Sequence, residues 1–467
     1  MRVAKDMSYE GVMSRRSDII KASAGIDFSV FERGGAAFDY EAMMESTGYT
    51  LDKVREVQSN ASVGNTPIIE LRNLTGLARI YAPAGNGARI FIKDEAANPS
   101  GSFKDRRAAT AVYHAKRAGY KGVIAATSGN FGAAVASRAA ACGLKCIIVQ
   151  ECYDSRKSGQ PEIIEKARKC EAYGAEVVQT TVGPELFYLS LRLLEETGYF
   201  SASLYSPFGV AGIETLGFEL AEQFRARIGR GPDVVVCTNA GGGNLTGTAR
   251  GLEKAACKAQ IVGASVNLVG LHMASDIGFN KKSFTTGHTG FGIPFATWPD
   301  RSDVPRSAAR PLRYMDRYVS VAQGDVFYMT ELLANLEGLE RGPAGNTSLA
   351  AAFALAQELP MDAVIVAQET EYTGAGKHVS PQLSFARRNG INVAFGNPEG
   401  EVPGQSIILP ETPDKLKVRE IDLSKLRLSL ISHAKEMAAK PLEDDDAAFL
   451  ALETRTDLDF VRNALKS

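Results

Sequence analysis

The sequence predicts an α/β protein whose strands lie in parallel sheets. Short, uninterrupted apolar runs recur through the middle of the chain, stretches of helix length separate them, and glycines, 45 in all, cluster where the apolar runs end. A strand that is apolar on both faces is buried on both faces, and the helices that return the chain between such strands cover a parallel sheet. Ligands of such sheets bind beyond the carboxyl ends of the strands, where the glycine-rich loops fall.

Residues 1–60 are charged and irregular with helical patches, and read as an extension packed on the body. The rhythm begins at Ile90-Phe91-Ile92. Strands are expected at 123–126, 146–149, 176–178, 233–236, 260–264 and 363–367. Helices are expected at 130–141, 161–173 and 185–197, with another opening near Asn244. Residues 279–313 form a long Gly/Pro/Arg-rich stretch without periodicity, and loops of that length in compact domains are commonly functional. The acidic run Glu443-Asp444-Asp445-Asp446 reads as a solvated helix start. A division follows: an N-terminal extension (1–87), a smaller α/β domain (88–228), a larger one (229–400) and a C-terminal extension (401–467).

A chain of 467 residues exceeds one small domain, and 45% hydrophobic with 23% charged residues is an ordinary globular mixture. A net charge of −1 excludes general attraction to nucleic acid or membrane. The six cysteines form no CxxC pair and lie in apolar or Ala-rich stretches, so they read as buried free thiols of a reducing compartment. No apolar run reaches spanning length, the start lacks a signal-peptide core, and no metal site is indicated. The expected location is the cytoplasm.

Four motifs carry chemistry. In "NPSGSFKDR", residues 98–106, a tight turn after a strand places Lys104 at the start of a helix. The helix dipole disfavours a cation there, whereas a lysine of lowered pKa can form a Schiff base. A solvated surface lysine is the plainer alternative. In "ATSGNFG", Thr127, Ser128, Gly129 and Asn130 bring hydroxyls and N–H groups to a helix N-terminus, a site for a carboxylate or simply a capped turn. In "CTNAGGGNLTGTARG", residues 237–251, Gly241, Gly242, Gly243 and Asn244 follow a strand and open a helix. Such a nest of N–H groups holds phosphate, and no GK[ST] marks it as a P-loop. In "ETEYTGAGKH", residues 369–378, Thr373 and Gly374 lie at another strand tip. Together the four motifs describe a ligand with a phosphate, an aldehyde and a polar-edged ring beside a carboxylate pocket: pyridoxal phosphate with an amino acid.

These motifs resemble, in order, those of the fold-type II pyridoxal phosphate enzymes of the tryptophan synthase β kind, the threonine synthase and cysteate synthase branch among them. Longer stretches, "FIKDEAANPSGSFKDRRAA", "GQPEIIEKARKCEAYGAEVVQ", "SFTTGHTGFGIPFATWPDRSDVPRSAARPLRYMDRYV" and "QETEYTGAGKH", look like the β-subunit family of the 2-amino-4-oxopentanoate thiolases, over nearly the whole chain. The resemblance implies two parallel-sheet α/β domains with the cofactor between them. It implies that Lys104 is the Schiff-base lysine, Asn130 bonds the ring hydroxyl, Gly241 to Asn244 hold the phosphate and Thr373 contacts the ring nitrogen. Glu369 and Glu371 are rivals for that last role. It also implies cleavage of 2-amino-4-oxopentanoate with coenzyme A to acetyl-CoA and alanine in ornithine degradation, a small α-subunit partner, and a homodimer of β subunits within the hetero-oligomer.

Lys281, Lys282, Arg301, Arg306, Arg310 and Arg313 crowd the 279–313 stretch against only Asp300 and Asp303, which suits the phosphates of coenzyme A. Lys281, Lys282, His288, Arg306 and Arg310 are the candidate contacts, and a structural or subunit-contact loop is the alternative. The rival activity is a threonine synthase- or cysteate synthase-like β- or γ-replacement. A binding subunit without chemistry has no use for Lys104.

Overall fold

The computed structural model describes residues 5–33, 37–127, 129–153, 157–159, 161–181, 185–203, 206–267, 311–372, 375–438 and 440–466. The strands β1 (Ile68–Glu70), β2 (Arg89–Asp94), β3 (Gly122–Thr127), β4 (Lys145–Tyr153), β5 (Glu176–Thr181), β6 (Phe200–Ser201), β7 (Val234–Thr238), β8 (Gln260–Val266), β9 (Arg317–Val321), β10 (Val364–Glu369) and β11 (Arg419–Glu420) build two principal sheets. One is four-stranded, in the order β5-β4-β3-β6, with every pair parallel. The other is seven-stranded, in the order β11-β9-β8-β7-β10-β2-β1. Its inner pairs are parallel, and only the edge pairs β9–β11 and β1–β2 are antiparallel. The expected α/β class holds, with the larger sheet mixed at its edges.

The helices used below are α1 (Lys104–Arg117), α2 (Asn130–Cys142), α3 (Pro161–Ala172), α4 (Pro207–Ile228), α5 (Gly243–Lys254), α6 (Gln323–Glu337) and α7 (Pro343–Ala356). Alternation along each strand sends its side chains to two separate layers. On one face of the larger sheet Ile90, Ile92, Val234, Val236 and Ile365 join the α7 residues Leu349, Phe353 and Leu355. On the other, Phe91, Val235, Val364 and Val366 meet Leu220 and Phe224 of α4 and Leu245 and Leu252 of α5. Each such side chain, fully buried, contributes about 1.5–3 kcal/mol. The smaller sheet is built likewise: Val123, Ala125 and Ile148 pack on the alanines of α2, and Ile124 and Val149 on Val12, Ile19 and Ile20. The N-terminal segment is therefore one of the covering layers of that sheet.

The expected boundary at residue 88 does not follow sheet membership. β2 lies in the larger sheet between β10 and β1, although the chain around it leads into the smaller one. Non-local pairing of this kind leaves no mark in an apolar run. The acidic run does open a helix, Asp444–Thr454, where its charges complement the dipole. Of the 279–313 stretch, residues 279–310 lie outside the described residues. None of the described helices is long and apolar enough to cross a membrane.

Candidate active site

β7, β10 and β2 are neighbours, so the loops that leave their carboxyl ends open side by side. The loop after β2 leads to Lys104, the loop after β7 is the glycine turn, and the segment after β10 runs through Thr370, Glu371 and Tyr372. Strand order alone thus assembles three of the four motifs.

Lys104 is the first residue of α1, with Phe103 as its N-cap. Phe103 N–H donates to the Thr370 carbonyl at 3.0 Å, and Tyr372 N–H to the Gly101 carbonyl at 2.8 Å. The lysine turn is laced to the tip of β10 by these bonds. Behind it, the fully buried Arg106 donates to both oxygens of Glu95 at 2.7 and 2.8 Å and also reaches Glu219. Lys93 joins the same Glu219. Burial opposes charge on Glu219, yet Arg106 and Lys93 hold its pKa down at about 2. The first turn of α1 is therefore pinned from its inner side, and Lys104 faces the cleft. Its amine lies 4.1 Å from the Phe103 ring centre. Desolvation, helped by the nearby Arg107, pushes it well below the usual lysine range. A neutral amine is the reactive form toward an aldehyde.

In the glycine turn Gly242 has φ +80° and caps α5 in the left-handed region, a conformation glycine adopts without strain. A Cβ on Gly243 would sit 2.6 Å from an Arg107 Nη, so a side chain there would have to displace the guanidinium. Asn244 donates to Gln368 of β10 at 2.7 Å, and Gln368 donates to Thr248 at 2.7 Å. This fixes the start of α5 against the sheet.

The fourth motif comes from the smaller sheet. Thr127 ends β3, and its Oγ1 accepts from Gly129 N–H at 2.9 Å and from Gly132 N–H at 3.2 Å, so this hydroxyl is engaged in capping α2. Asn130 opens α2 and donates to Glu371. Lys166 of α3 also reaches Glu371, at 3.3 Å, while holding Glu162. Ala344 N–H, in the first turn of α7, donates to the other Glu371 oxygen at 3.3 Å. Burial opposes the charge of Lys166, but Glu162 and Glu371 raise its pKa. Glu371 therefore ties the two sheets together across the cleft. Glu369, one turn of strand away, is fully buried, and its pKa is pushed far up by burial and by Asp94.

Lys104, Thr127, Gly129, Asn130, Gly241, Gly242, Gly243 and Asn244 are thus brought to one cleft. Ser128, Thr373, Lys281, Lys282, His288, Arg306 and Arg310 lie outside the described residues. Arg313 is described and pairs with Glu453 at 2.8 Å. Sequence reasoning passed over Arg107 and Lys166. Arg107 had a signal, since three residues beyond Lys104 lies on the same helix face. Lys166 had none, because only the packing of α3 against α2 brings it in.

The residues present fit a phosphorylated, carbonyl-bearing cofactor. Ser102 Oγ, Thr370 Oγ1, Asn244 Oδ1 and both Glu369 oxygens are buried without a hydrogen-bond partner among the described residues. Ser102 lies on the lysine loop, Asn244 at the glycine turn, and Glu369 and Thr370 at the tip of β10. The cysteines play no such part: burial pushes the thiols of Cys146, Cys152, Cys170 and Cys237 up to about 12.

The model of the pyridoxal-phosphate dependent enzyme family matches residues 60–371. The chain belongs to that family. Its cofactor is pyridoxal phosphate. The chain is 69% identical over 467 residues to the 2-amino-4-ketopentanoate thiolase beta subunit of Acetoanaerobium sticklandii, covering 99% of each. It is 28% identical over 293 residues to a threonine synthase of a Bacillus species, covering 62% of this chain and 76% of that one. Among solved structures, O-ureido-L-serine synthase superposes with a TM-score of 0.52 at 23% identity, over 68% of this chain and 92% of that one, which supports the fold.

Proposed function

We propose that this pyridoxal phosphate enzyme is the cofactor-bearing subunit of a thiolase. It cleaves 2-amino-4-oxopentanoate with coenzyme A to acetyl-CoA and alanine, working beside a small partner subunit. The observation that carries this reading is the 69% identity, end to end, to a protein named as that subunit. The match to threonine synthase covers only 62% of the chain. Six free thiols, four of them buried, support a reducing, cytoplasmic setting. The four-part division of the chain stands within the proposal, with β2 contributed to the larger sheet.

When bound, the cofactor supplies an electron sink for charge developing on the amino acid's carbon skeleton. The chain's own residues do the rest. Lys104 would hold the cofactor covalently through its side-chain amine and, once released, is the base placed to move the α proton. The N–H groups of Gly241 to Asn244 hold the phosphate at the start of α5. Asn130 bonds the ring hydroxyl, with Glu371 fixing its amide, and Thr373 contacts the ring nitrogen. The start of α2, from Thr127 to Asn130, anchors the substrate carboxylate. Lys281, Lys282, His288, Arg306 and Arg310 receive coenzyme A, whose own thiol attacks the C4 carbonyl. No protein thiolate is needed, in keeping with the raised cysteine pKa values.

Product analysis with 2-amino-4-oxopentanoate and coenzyme A, with and without the partner subunit, tests the reading. Acetyl-CoA and alanine should appear in equal amounts. A β- or γ-replacement product with no acetyl-CoA would favour the rival activity.

A further inference from the structure

We infer that Lys166 is a positioning residue for the cofactor: through Glu371 it sets the side chain of Asn130, and it thereby brings helix α3 into the site. The inference rests on the reading that Asn130 bonds the ring hydroxyl. It does not depend on which amino acid is cleaved.

Helix α3 carries two stripes with different contacts. Ile163, Ala167 and Cys170 recur at i, i+4 and i+7 and are buried, the first two against Cys152 of β4. Glu162, Lys166 and Lys169 recur at the same spacing on the adjacent stripe. Lys169 donates to the Ser100 carbonyl of the lysine turn at 2.5 Å, and Lys166 reaches Glu371, beyond the tip of β10, at 3.3 Å. A helix that packs on the smaller sheet thus holds two loops of the larger one.

The path from Lys166 to Asn130 is short. The lysine side chain is 13% exposed and lies between the carboxylates of Glu162, 3% exposed, and Glu371, 1% exposed. These two carboxylates occupy its ammonium, so Lys166 acts through Glu371 and not by touching the cofactor. The Glu371 Oε2 that meets the ammonium also accepts the Asn130 amide N–H, while Oε1 accepts from Ala344 N–H. A carboxylate oxygen accepts only, so it decides which end of the Asn130 side chain turns toward it. The lysine stem adds a second hold. A Cβ on Gly129 would sit 2.5 Å from Lys166 Cδ, so the stem runs directly over the residue before Asn130, where a glycine leaves it room.

Among the described residues, Lys166 is the cation bonded to Glu371. Removing it leaves a buried charge without its bonded partner, the costly half of a broken pair. The Ala344 N–H and the Asn130 amide remain, but neither carries a charge. Glu371 then has no fixed place at the cleft, and the Asn130 amide loses the group that orients it.

The test titrates the full-length apoenzyme with pyridoxal phosphate and with 3-deoxypyridoxal phosphate, which lacks the ring hydroxyl, by absorbance or fluorescence. Asn130→Ala is measured in parallel to test the hydroxyl contact itself. Lys166→Met should weaken pyridoxal phosphate about 10-fold, the range for one hydrogen bond, and leave the deoxy analogue nearly unchanged. The double variant should lose no more of that preference than Asn130→Ala alone. If Asn130→Ala lowers the preference and Lys166→Met does not, Lys166 does not position Asn130 and the hydroxyl reading stands. If Asn130→Ala leaves the preference unchanged, the hydroxyl contact lies elsewhere and both assignments fall. An equal loss of both ligands in Lys166→Met would assign Lys166 a structural role and overturn the inference, as would additive losses in the double variant. Should Lys166→Met not fold, Lys166→Gln decides by the same comparison: a lowered preference supports the inference, and an unchanged one overturns it.

Discussion

Lys104 acts through what surrounds its amine: desolvation first, then the neighbouring Arg107 guanidinium, push its pKa well below the usual lysine range. Lys104→Ala should fold, lose the cofactor's visible absorption band and lose all turnover. A variant that kept both band and turnover would refute the assignment. The pH dependence of cofactor capture by the apoenzyme follows with a fixed sign. Burial and Arg107 lower the Lys104 pKa, so capture should persist below the pH at which an ordinary lysine is already protonated. Arg107→Gln should move that limit to higher pH. Coincident profiles would contradict this. Lys104 and the glycine turn were legible in the sequence because strand, turn and helix each leave a local pattern. Glu371 was legible only as a carboxylate near a strand tip; that it clasps Asn130 and Lys166 from the other sheet depends on packing that no local pattern records.

Two helices rest on buried polar devices: α1, which carries the site lysine, and α6, which lies outside the site. The first turn of α1 hangs on Arg106 with Glu95 and Glu219. Removing one partner of such a set leaves an uncompensated buried charge, so Glu95→Ala should cost about 3–5 kcal/mol and weaken cofactor binding without touching the cleft. Denaturant unfolding of the apoenzyme measures it, and a loss below ~1 kcal/mol would show that the network is not stabilising α1. At the start of α6, burial pushes Asp325 up to about 8, with Glu401 close by. A raised carboxyl pKa favours the neutral acid in the fold. Its contribution is full below the unfolded value of about 4 and is lost as pH rises toward about 8, at up to ~1.4 kcal/mol per unit. Asp325→Asn, which keeps an oxygen for the Ala322 N–H bonded at 2.9 Å, should flatten this fall relative to the wild type. Parallel profiles would contradict it. The helices and most strands were readable from periodicity, whereas the pairing of β2 with β10 joins residues far apart in the chain and shows only in the fold.

At the scale of the molecule, the cleft lies where the larger sheet's central strands end and the smaller sheet reaches over through Asn130 and Lys166. Coenzyme A is a separate demand on this architecture. Neutralising Arg306 and Arg310 should raise the KM for coenzyme A several-fold more than that for the amino acid; equal effects on both would favour a structural loop. The central claim is that Lys104 removes the substrate's α proton before any carbon–carbon bond breaks. It is tested most directly in deuterated water, with 2-amino-4-oxopentanoate and no coenzyme A. The account predicts that the substrate's α hydrogen exchanges with solvent in the wild-type enzyme with its partner subunit, and does not exchange in Lys104→Ala. Acetyl-CoA formed on adding coenzyme A, with alanine that keeps its original α hydrogen and no internal transfer to explain it, would contradict the account.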